Sequence, residues 1–369
     1  MQDKKNSLLD SLSTNFPWTE RIWKNLESQT QTLNSALFFG KPGLGKSHTA
    51  LKYTMQLLQN NEVFLSGNHP DVHVLLPEEE AIELLKNEDL EEGLDCKNMS
   101  PQELIAAYGS RYFEKSSAKP KKIISVQQIR ALIEQVVQHP NLSKHKVVII
   151  KSADKMNTNS ANALLKTLEE PPQNTSFILL ADQIERLPIT IRSRCAEFHF
   201  RAPDQEIGLQ WLEQQGLHEH TESYLMMANQ APLQAIELAK AKEIENLRTL
   251  FSSINQLWAK KISPLELATQ WKKFEFQNIF NHLNRFLTDL TKLKSINVHP
   301  GSTEPPEHLF YPVQKDWCTK IALSVEFEGL FNTIDEIQSI QRLGNGPSDK
   351  QLLLENAAIQ LEKLAQNHA

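Results

Sequence analysis

The chain has 369 residues, of which 40% are hydrophobic and 23% are charged, and its formal net charge is −6. This length is enough for two or three domains with their own cores, and the negative charge argues against a protein whose whole surface attracts nucleic acid. Because no apolar run approaches the roughly 18 residues of a membrane span and the first residues lack the apolar core of a signal peptide, we expect a cytoplasmic protein without membrane contact.

A phosphate-binding motif lies early in the chain, between a predicted strand at 36–39 and a predicted helix at 48–59. It reads GKPGLGKS over residues 40–47, which fits the pattern G-x-x-x-x-G-K-S. Its glycines let backbone N–H groups face phosphate oxygens, Lys46 would reach the β- and γ-phosphates, and Ser47 would offer a hydroxyl to Mg²⁺. The predicted nucleotide-binding residues are Gly40, Lys41, Pro42, Gly43, Leu44, Gly45, Lys46, Ser47 and His48. The alternative is a loop that keeps this shape without working nucleotide turnover.

A charged block at 79–122 follows a predicted strand at 72–76 and interrupts the alternation of strands and helices. We interpret it as an insertion of unknown role, with helical patches at 79–85 and 101–108. Its last lysines are interpreted as a solvated face in preference to a DNA contact; they are Lys115, Lys119, Lys121 and Lys122. Residues 125–139 then have the apolar spacing of an amphipathic helix.

The stretch from 146 to 200 has the strongest pattern in the sequence. The apolar run at 147–150 is typical of a strand buried on both faces. A helix with possible caps at 157–159 follows, and Pro171-Pro172 must end it. A second buried strand is predicted at 177–180, and a further strand from Phe198.

From residue 204 onward only helical periodicity remains, apart from a Pro-rich loop at 297–312. The last predicted helix, at 349–364, has one apolar face, and we predict that it is an oligomerisation helix. That face consists of Leu353, Ala357, Leu361 and Leu364.

The cysteines and histidines give no support for a metal or a nucleophile. Cys96, Cys195 and Cys318 are far apart, so neither a disulfide framework nor a zinc site is expected. His69 and His73 are spaced as possible ligands, but Pro70 lies between them, and we expect loop and strand residues. Cys195 and His199 lack a third orienting group, which favours a structural thiol.

Two segments, ANALLKTLEEPP at 161–172 and LPITIRSRC at 187–195, together with GKPGLGKS, resemble the clamp-loader ATPase family of bacterial DNA polymerase III. The resemblance covers nearly the whole chain and weakens beyond residue 243. It implies an α/β P-loop (AAA+) domain with a parallel sheet at 1–201, a helical lid at 202–242 and an all-α collar or oligomerisation domain at 243–369. Many relatives carry a four-cysteine zinc module after the P-loop helix, but residues 56–78 contain no cysteine here.

The resemblance also implies which residues an active member would need. Two acidic residues should follow the strand at 147–150, and Lys151 and Ser152 occupy those positions. Asp154 lies two residues beyond these positions. Asp182 follows the next strand, at a turn where the family usually carries a Thr or Asn that senses the nucleotide. Leu233 stands where the lid helix of active relatives carries an arginine that contacts the γ-phosphate. We therefore expect ATP or ADP to bind without hydrolysis, and no catalytic metal.

Arg194 in the Ser-Arg-Cys motif corresponds to the family's arginine finger, which acts in trans on a neighbouring subunit's ATP site. The implied function is that of a stator subunit that completes a ring with gamma/tau and delta subunits and supports loading of a sliding clamp on primed DNA. A self-sufficient motor ATPase is the main alternative, and a plain DNA-binding module is a weaker one.

Overall fold

A computed structural model of the protein describes residues 8–28, 32–59, 61–85, 99–113, 120–298, 309–311, 315–344, 346 and 348–366. The chain divides into two compact units, residues 1–207 and 208–369. In the described ranges, the first unit combines a parallel sheet with helices and the second contains helices alone. Within those ranges, no helix combines the length and the apolar character that crossing a bilayer requires.

The first unit is built on a five-stranded parallel sheet with the order β2-β3-β4-β1-β5. The strands are β1 Ser35–Phe39, β2 Val72–Leu75, β3 Lys146–Ile150, β4 Thr175–Ala181 and β5 Ala196–His199. Strands β3 and β4 are buried along their whole length, as their continuous apolar runs predict. Because β1 and β4 are parallel neighbours, the phosphate-binding loop after β1 and the turn after β4 meet at the same edge of the sheet.

Nine α-helices accompany this sheet in the described residues of the first unit. They are α1 Leu8–Ser13, α2 Glu20–Glu27, α3 Lys46–Leu58, α4 Asn61–Leu65, α5 Glu78–Leu85, α6 Pro101–Gly109, α7 Val126–Val136, α8 Thr158–Glu169 and α9 Ile189–Arg192. Ser125 caps α7 and forms a capping box with Gln128, and Asn157 caps α8. The two helical patches predicted in the charged block are confirmed as α5 and α6, whereas Lys115 and Lys119 lie outside the described residues.

Helices α7 and α8 pack together over the sheet and form its main apolar core. Ile129 and Leu132 of α7 and Leu164 of α8 are fully buried there with Val148 and Phe177. At about 25 cal/mol per Å², such side chains each contribute roughly 1.5–3 kcal/mol on burial. This core fixes the positions of the turns that follow β3 and β4.

The strand predicted at 72–76 is confirmed as β2, and all four of its residues are buried. His73 lies in the strand and its Nδ1 hydrogen-bonds the Tyr112 hydroxyl at 2.5 Å. His69 lies in the preceding loop, where its Nδ1 accepts the Asp71 N–H at 3.1 Å. Both histidines are therefore loop and strand residues with protein partners, as expected.

The second unit is an assembly of helices. They are α10 Gln205–Gln214, which spans the boundary between the units, α11 Thr221–Met227, α12 Pro232–Lys240, α13 Glu243–Trp258, α14 Pro264–Trp271, α15 Phe276–Val298, α16 Lys315–Ser324, α17 Phe327–Leu343 and α18 Lys350–Gln366. Helix α15 extends through 297–298, which were assigned to a loop, and 299–308 and 312–314 lie outside the described residues. The division into a lid and a collar at residue 242 stays a prediction.

Helix α18 confirms the predicted helix, but its apolar face is used within the chain. The face packs on α14, α17 and α13 of the same unit, and Leu361 is fully buried. Leu352 and Ile359 face outward, with exposed fractions of 62% and 40%. The oligomerisation role stays a prediction, and it would have to use outward residues of this kind.

Candidate functional site

The phosphate-binding loop has the backbone that its glycines predict. Gly43 and Gly45 have φ values of 76° and 90°, in the left-handed region that favours glycine. A Cβ atom on Gly45 would lie 2.7 Å from the Phe16 ring. Helix α3 then begins at Lys46, so its free N–H groups and positive dipole end face the loop. This cradle fits a phosphate group.

Residues before β1 pack on the loop. The indole Nε1 of Trp18 donates to the Leu44 carbonyl at 3.0 Å, and the Phe16 ring stacks on Trp18 with centroids 5.1 Å apart. His48 of α3 lies against Phe16 and its Nε2 donates to the Thr14 carbonyl at 2.9 Å. Burial lowers the pKa of His48 to about 4, so this ring is neutral at pH 7. The His48 side chain therefore packs on the loop, and its predicted role in nucleotide binding stays a prediction.

The Lys46 ammonium has three protein partners. Its Nζ donates to the carbonyl oxygens of Gly40 at 2.5 Å and Lys41 at 2.8 Å, and it forms an ion pair with Asp182 Oδ1 at 2.8 Å. The side chain is buried, and this burial lowers the pKa of Lys46, while the Asp182 carboxylate acts in the opposite direction. An ammonium has three donors, and each has an acceptor here.

Asp182 follows directly after β4 and reaches the loop because β4 and β1 are neighbours. Its side chain is 47% exposed. Asp154, in a 3-10 turn after β3, accepts the Asp182 N–H at 3.3 Å. Burial and then the nearby Asp182 carboxylate raise the pKa of Asp154. The turn after β4 is therefore acidic, where the resembled family usually carries a neutral sensing residue.

The two positions that should carry acids after β3 form a basic cluster with Glu80. Lys151 forms an ion pair with Glu80 of α5, Ser152 Oγ donates to Glu80 Oε2 at 2.8 Å, and Lys155 Nζ lies 3.0 Å from the same oxygen. Ser152 has a φ of 55°, in the left-handed region. Burial raises the pKa of Glu80, but the two lysines and Ser152 outweigh it and the net pKa lies below the usual value. Lys151 and Ser152 are thus both paired with the Glu80 carboxylate.

Arg194 lies in the turn between α9 and β5, with 28% of its side chain exposed. Its Nε donates to Glu169 Oε1 at 2.9 Å, and Nη2 contacts the same oxygen. Nη1 donates to the Thr190 carbonyl at 2.7 Å. Glu169 is the last residue of α8, where a carboxylate is disfavoured by the helix dipole unless a cation lies beside it. The guanidinium is therefore held at the surface in a defined orientation.

Cys195 and His199 are not organised as a nucleophile and base. Burial raises the pKa of the Cys195 thiol to about 12, so the thiolate is not formed near pH 7. The His199 ring stacks on Phe39 with centroids 4.7 Å apart, and its Nδ1 accepts from Arg201 Nε at 3.3 Å. The structural role predicted for this thiol agrees with its surroundings.

Sequence reasoning identified Lys46, Lys151, Ser152, Asp182 and Arg194, and the structure adds their partners. It brings Lys46 and Asp182 together, whereas Lys151 and Ser152 are bound to Glu80. Glu80 and Glu169 were missed as site residues. Glu169 belongs to the ANALLKTLEEPP segment, which resembles the same family as the Ser-Arg-Cys motif does, so a signal for Glu169 was available in the sequence. No comparable signal distinguishes Glu80 from Glu78 and Glu79.

Comparison with known proteins identifies one matching family model and several similar proteins. The family model described as DNA polymerase III, delta subunit, matches residues 18–204. The DNA polymerase III subunit delta' of Pseudomonas aeruginosa is 28% identical over 282 residues, which cover 72% of this chain and 74% of that protein. The subunit delta' of Haemophilus influenzae is 34% identical over 203 residues, which cover 54% of this chain and 61% of that protein. A gamma subunit-related DNA polymerase III protein of Thermotoga maritima has a TM-score of 0.45 and 18% identity, and the match covers 94% of this chain and 99% of that one.

Proposed function

This chain belongs to the DNA polymerase III delta subunit family, as a delta-prime-type clamp-loader subunit, and we propose that it acts as the stator of the loader. In this role it completes a ring with gamma/tau and delta subunits and donates Arg194 to the ATP site of a neighbouring motor subunit. The ring opens a sliding clamp and places it on primed DNA in the cytoplasm.

The observation that carries the proposal is the state of Lys151 and Ser152. A hydrolytic P-loop site needs carboxylates at the end of this strand to hold Mg²⁺ and to orient the attacking water. Here the two side chains are paired with Glu80, so the expected acids are absent and their replacements are engaged. This arrangement supports a subunit that does not turn over ATP by itself.

The phosphate-binding loop supports nucleotide binding without hydrolysis. Gly43 and Gly45 give the loop the left-handed backbone of this motif, and the N-terminus of α3 favours negative charge. Lys46 and Ser47 would hold the phosphates and a Mg²⁺ ion that arrives with them. When bound, the ligand supplies charge and rigidity at this edge of the sheet.

Arg194 supports the role in trans. A guanidinium is always charged and presents a planar set of donors that suits phosphate oxygens. Its orientation is fixed by Glu169 and Thr190, and part of it stays accessible. Stabilisation of charge on a γ-phosphate by such a residue is worth about 10³–10⁵ in rate at its own site.

The test is a reconstituted loader that contains wild-type, Arg194→Ala or Arg194→Lys protein. We expect normal ring assembly with all three, because the ion pair of Arg194 is partly exposed and contributes about 0–1 kcal/mol to stability. Clamp-stimulated ATP hydrolysis and the clamp-loading rate should fall with both variants. The loss should be smaller than the factor expected at a single ATP site, because the other ATP sites of the loader keep their own arginine fingers. Equal loading rates for all three proteins would refute the role of Arg194.

A motor-type ATPase is the second candidate, favoured only by the intact loop and by Asp154 near it. It predicts steady ATP turnover by the isolated chain that disappears in Lys46→Ala. We expect no such turnover, and its detection would replace the stator proposal with the motor one.

A further inference from the structure

The carboxylate of Asp182 occupies a position that a bound nucleotide would compete for. Its Oδ1 lies 2.8 Å from Lys46 Nζ, and the other two donors of this ammonium are held by the Gly40 and Lys41 carbonyls. In this motif the lysine reaches both the β- and the γ-phosphate, but the backbone N–H groups of the loop cradle only the α- and β-phosphates, so the γ-phosphate depends more on the lysine. Here that positive charge is already neutralised by the chain itself.

The acidic character of this edge extends beyond one residue. Asp154 Oδ1 accepts the backbone N–H of Asp182 at 3.3 Å, so a second carboxyl group lies beside the first. The phosphate approaching Lys46 from the sheet edge therefore meets carboxylate oxygens. A phosphate and a carboxylate in contact repel each other strongly in a partly buried site.

The β-phosphate has partners besides this lysine. It is bound mainly by the backbone N–H groups of the loop and by the N-terminus of the following helix. The positive φ angles of Gly43 and Gly45 and the start of α3 at Lys46 provide these groups. They are backbone features that do not require Asp182 to move.

From this asymmetry we infer that Asp182 makes the phosphate-binding loop selective for nucleoside diphosphates over triphosphates. The inference rests on the proposed binding of nucleotide by this loop and specifies its ligand. A diphosphate ends at the backbone cradle, whereas a triphosphate places its terminal phosphate against Asp182. Because the Asp182 side chain is half exposed, a triphosphate can displace it, but at a cost in affinity.

A different arrangement makes the opposite prediction. If Asp182 instead held Mg²⁺ against the γ-phosphate, the metal would convert repulsion into attraction and ATP would bind more tightly than ADP only when Mg²⁺ is present. The Asp182 carboxylate lies 2.8 Å from the Lys46 ammonium, the cation that a terminal phosphate would itself use. This geometry favours repulsion.

The experiment is competition of unlabelled ADP and ATP against a fluorescent ADP analogue on the full-length protein, with excess Mg²⁺ and with EDTA. We expect the wild type to bind ADP at least about tenfold more tightly than ATP under both conditions. Asp182→Asn removes the charge and keeps the size, so it should raise ATP affinity more than ADP affinity and narrow the ratio. Asp335→Asn, an exposed aspartate on α17 of the second unit, makes the same charge change and should leave the ratio unchanged.

Failure of the inference and failure of nucleotide binding give different results. Equal affinities, tighter binding of ATP, or an unchanged ratio in Asp182→Asn would overturn the selectivity while nucleotide binding stands. Binding of neither nucleotide to the wild type or to Asp182→Asn, in proteins with unchanged circular dichroism, would overturn nucleotide binding itself and the selectivity with it.

Discussion

The Glu80 cluster can be tested by removing its single acid. Glu80→Ala leaves Lys151, whose side chain is only 14% exposed, without a carboxylate partner, and Lys155 and Ser152 lose the same group. Removing one partner of a fully buried ion pair costs about 3–5 kcal/mol. Since Glu80 and Lys151 retain some exposure and Lys155 is 45% exposed, we expect a loss of about 2–3 kcal/mol in the free energy of unfolding of the first unit.

The neighbouring residue Glu79 provides a matched control. It forms an ion pair with Lys122 at 3.4 Å, and both side chains are largely exposed, at 47% and 68%. Exposed pairs of this kind contribute about 0–1 kcal/mol, so Glu79→Ala should be almost neutral. The measurement is urea unfolding of the full chain, with hydrogen exchange at the β3 amides to report on the first unit. Equal stabilities of the two variants would refute the structural role assigned to Glu80.

The same cluster predicts a pH dependence. The pKa of Glu80 is lowered in the folded protein from its usual value of 4.5, so the folded state favours the charged form. The stabilisation is therefore fully present above about pH 4.5 and is lost as the pH falls through the lower folded-state pKa. The difference in the free energy of unfolding between wild type and Glu80→Ala should therefore shrink over that acidic range. A difference that stays constant with pH would contradict the ionic origin of the effect.

Two further predictions concern Glu169 and α18. Glu169→Gln should change the free energy of unfolding by no more than about 1 kcal/mol. In the reconstituted loader it should lower clamp-stimulated ATP hydrolysis, but to a smaller extent than Arg194→Ala. A wild-type rate of hydrolysis would show that Glu169 does not orient the Arg194 guanidinium. Leu361→Ala should destabilise the helical unit by about 2–5 kcal/mol in urea unfolding, because Leu361 is fully buried. Leu352 is 62% exposed, so Leu352→Ala should change the free energy of unfolding by no more than about 0.5 kcal/mol. Similar losses of stability in both variants would contradict the packing of α18.

The elements of the first unit could be predicted because their sequence signals are local. A strand covered on both faces has a continuous apolar run, and β3 and β4 are such strands. Helix starts are marked by residues that bind their own backbone, as Asn157 and Ser125 do. Neither signal depends on knowledge of distant parts of the chain.

The partners in the site could not be predicted, because the pairing depends on tertiary structure. Glu78, Glu79 and Glu80 are identical in type and consecutive, but successive residues of a helix point about 100° apart. Glu79 pairs with exposed Lys122, and Glu80 pairs with Lys151, which lies 71 residues later. Similarly, the apolar face of α18 was identified correctly, but periodicity does not say whether the chain itself or a neighbouring subunit covers it.

The phosphate-binding loop also has a structural role that does not depend on hydrolysis. Gly45 allows close packing of Phe16, and Gly40 allows the Phe200 carbonyl to approach, since a Cβ on Gly40 would lie 2.2 Å from that oxygen. Lys46 neutralises Asp182 at the same edge of the sheet. A side chain at Gly40 or Gly45 would therefore disturb this packing. A chain with Lys151 and Ser152 in place of acids after β3 can therefore still require these glycines for its fold, so the motif alone does not establish an ATPase.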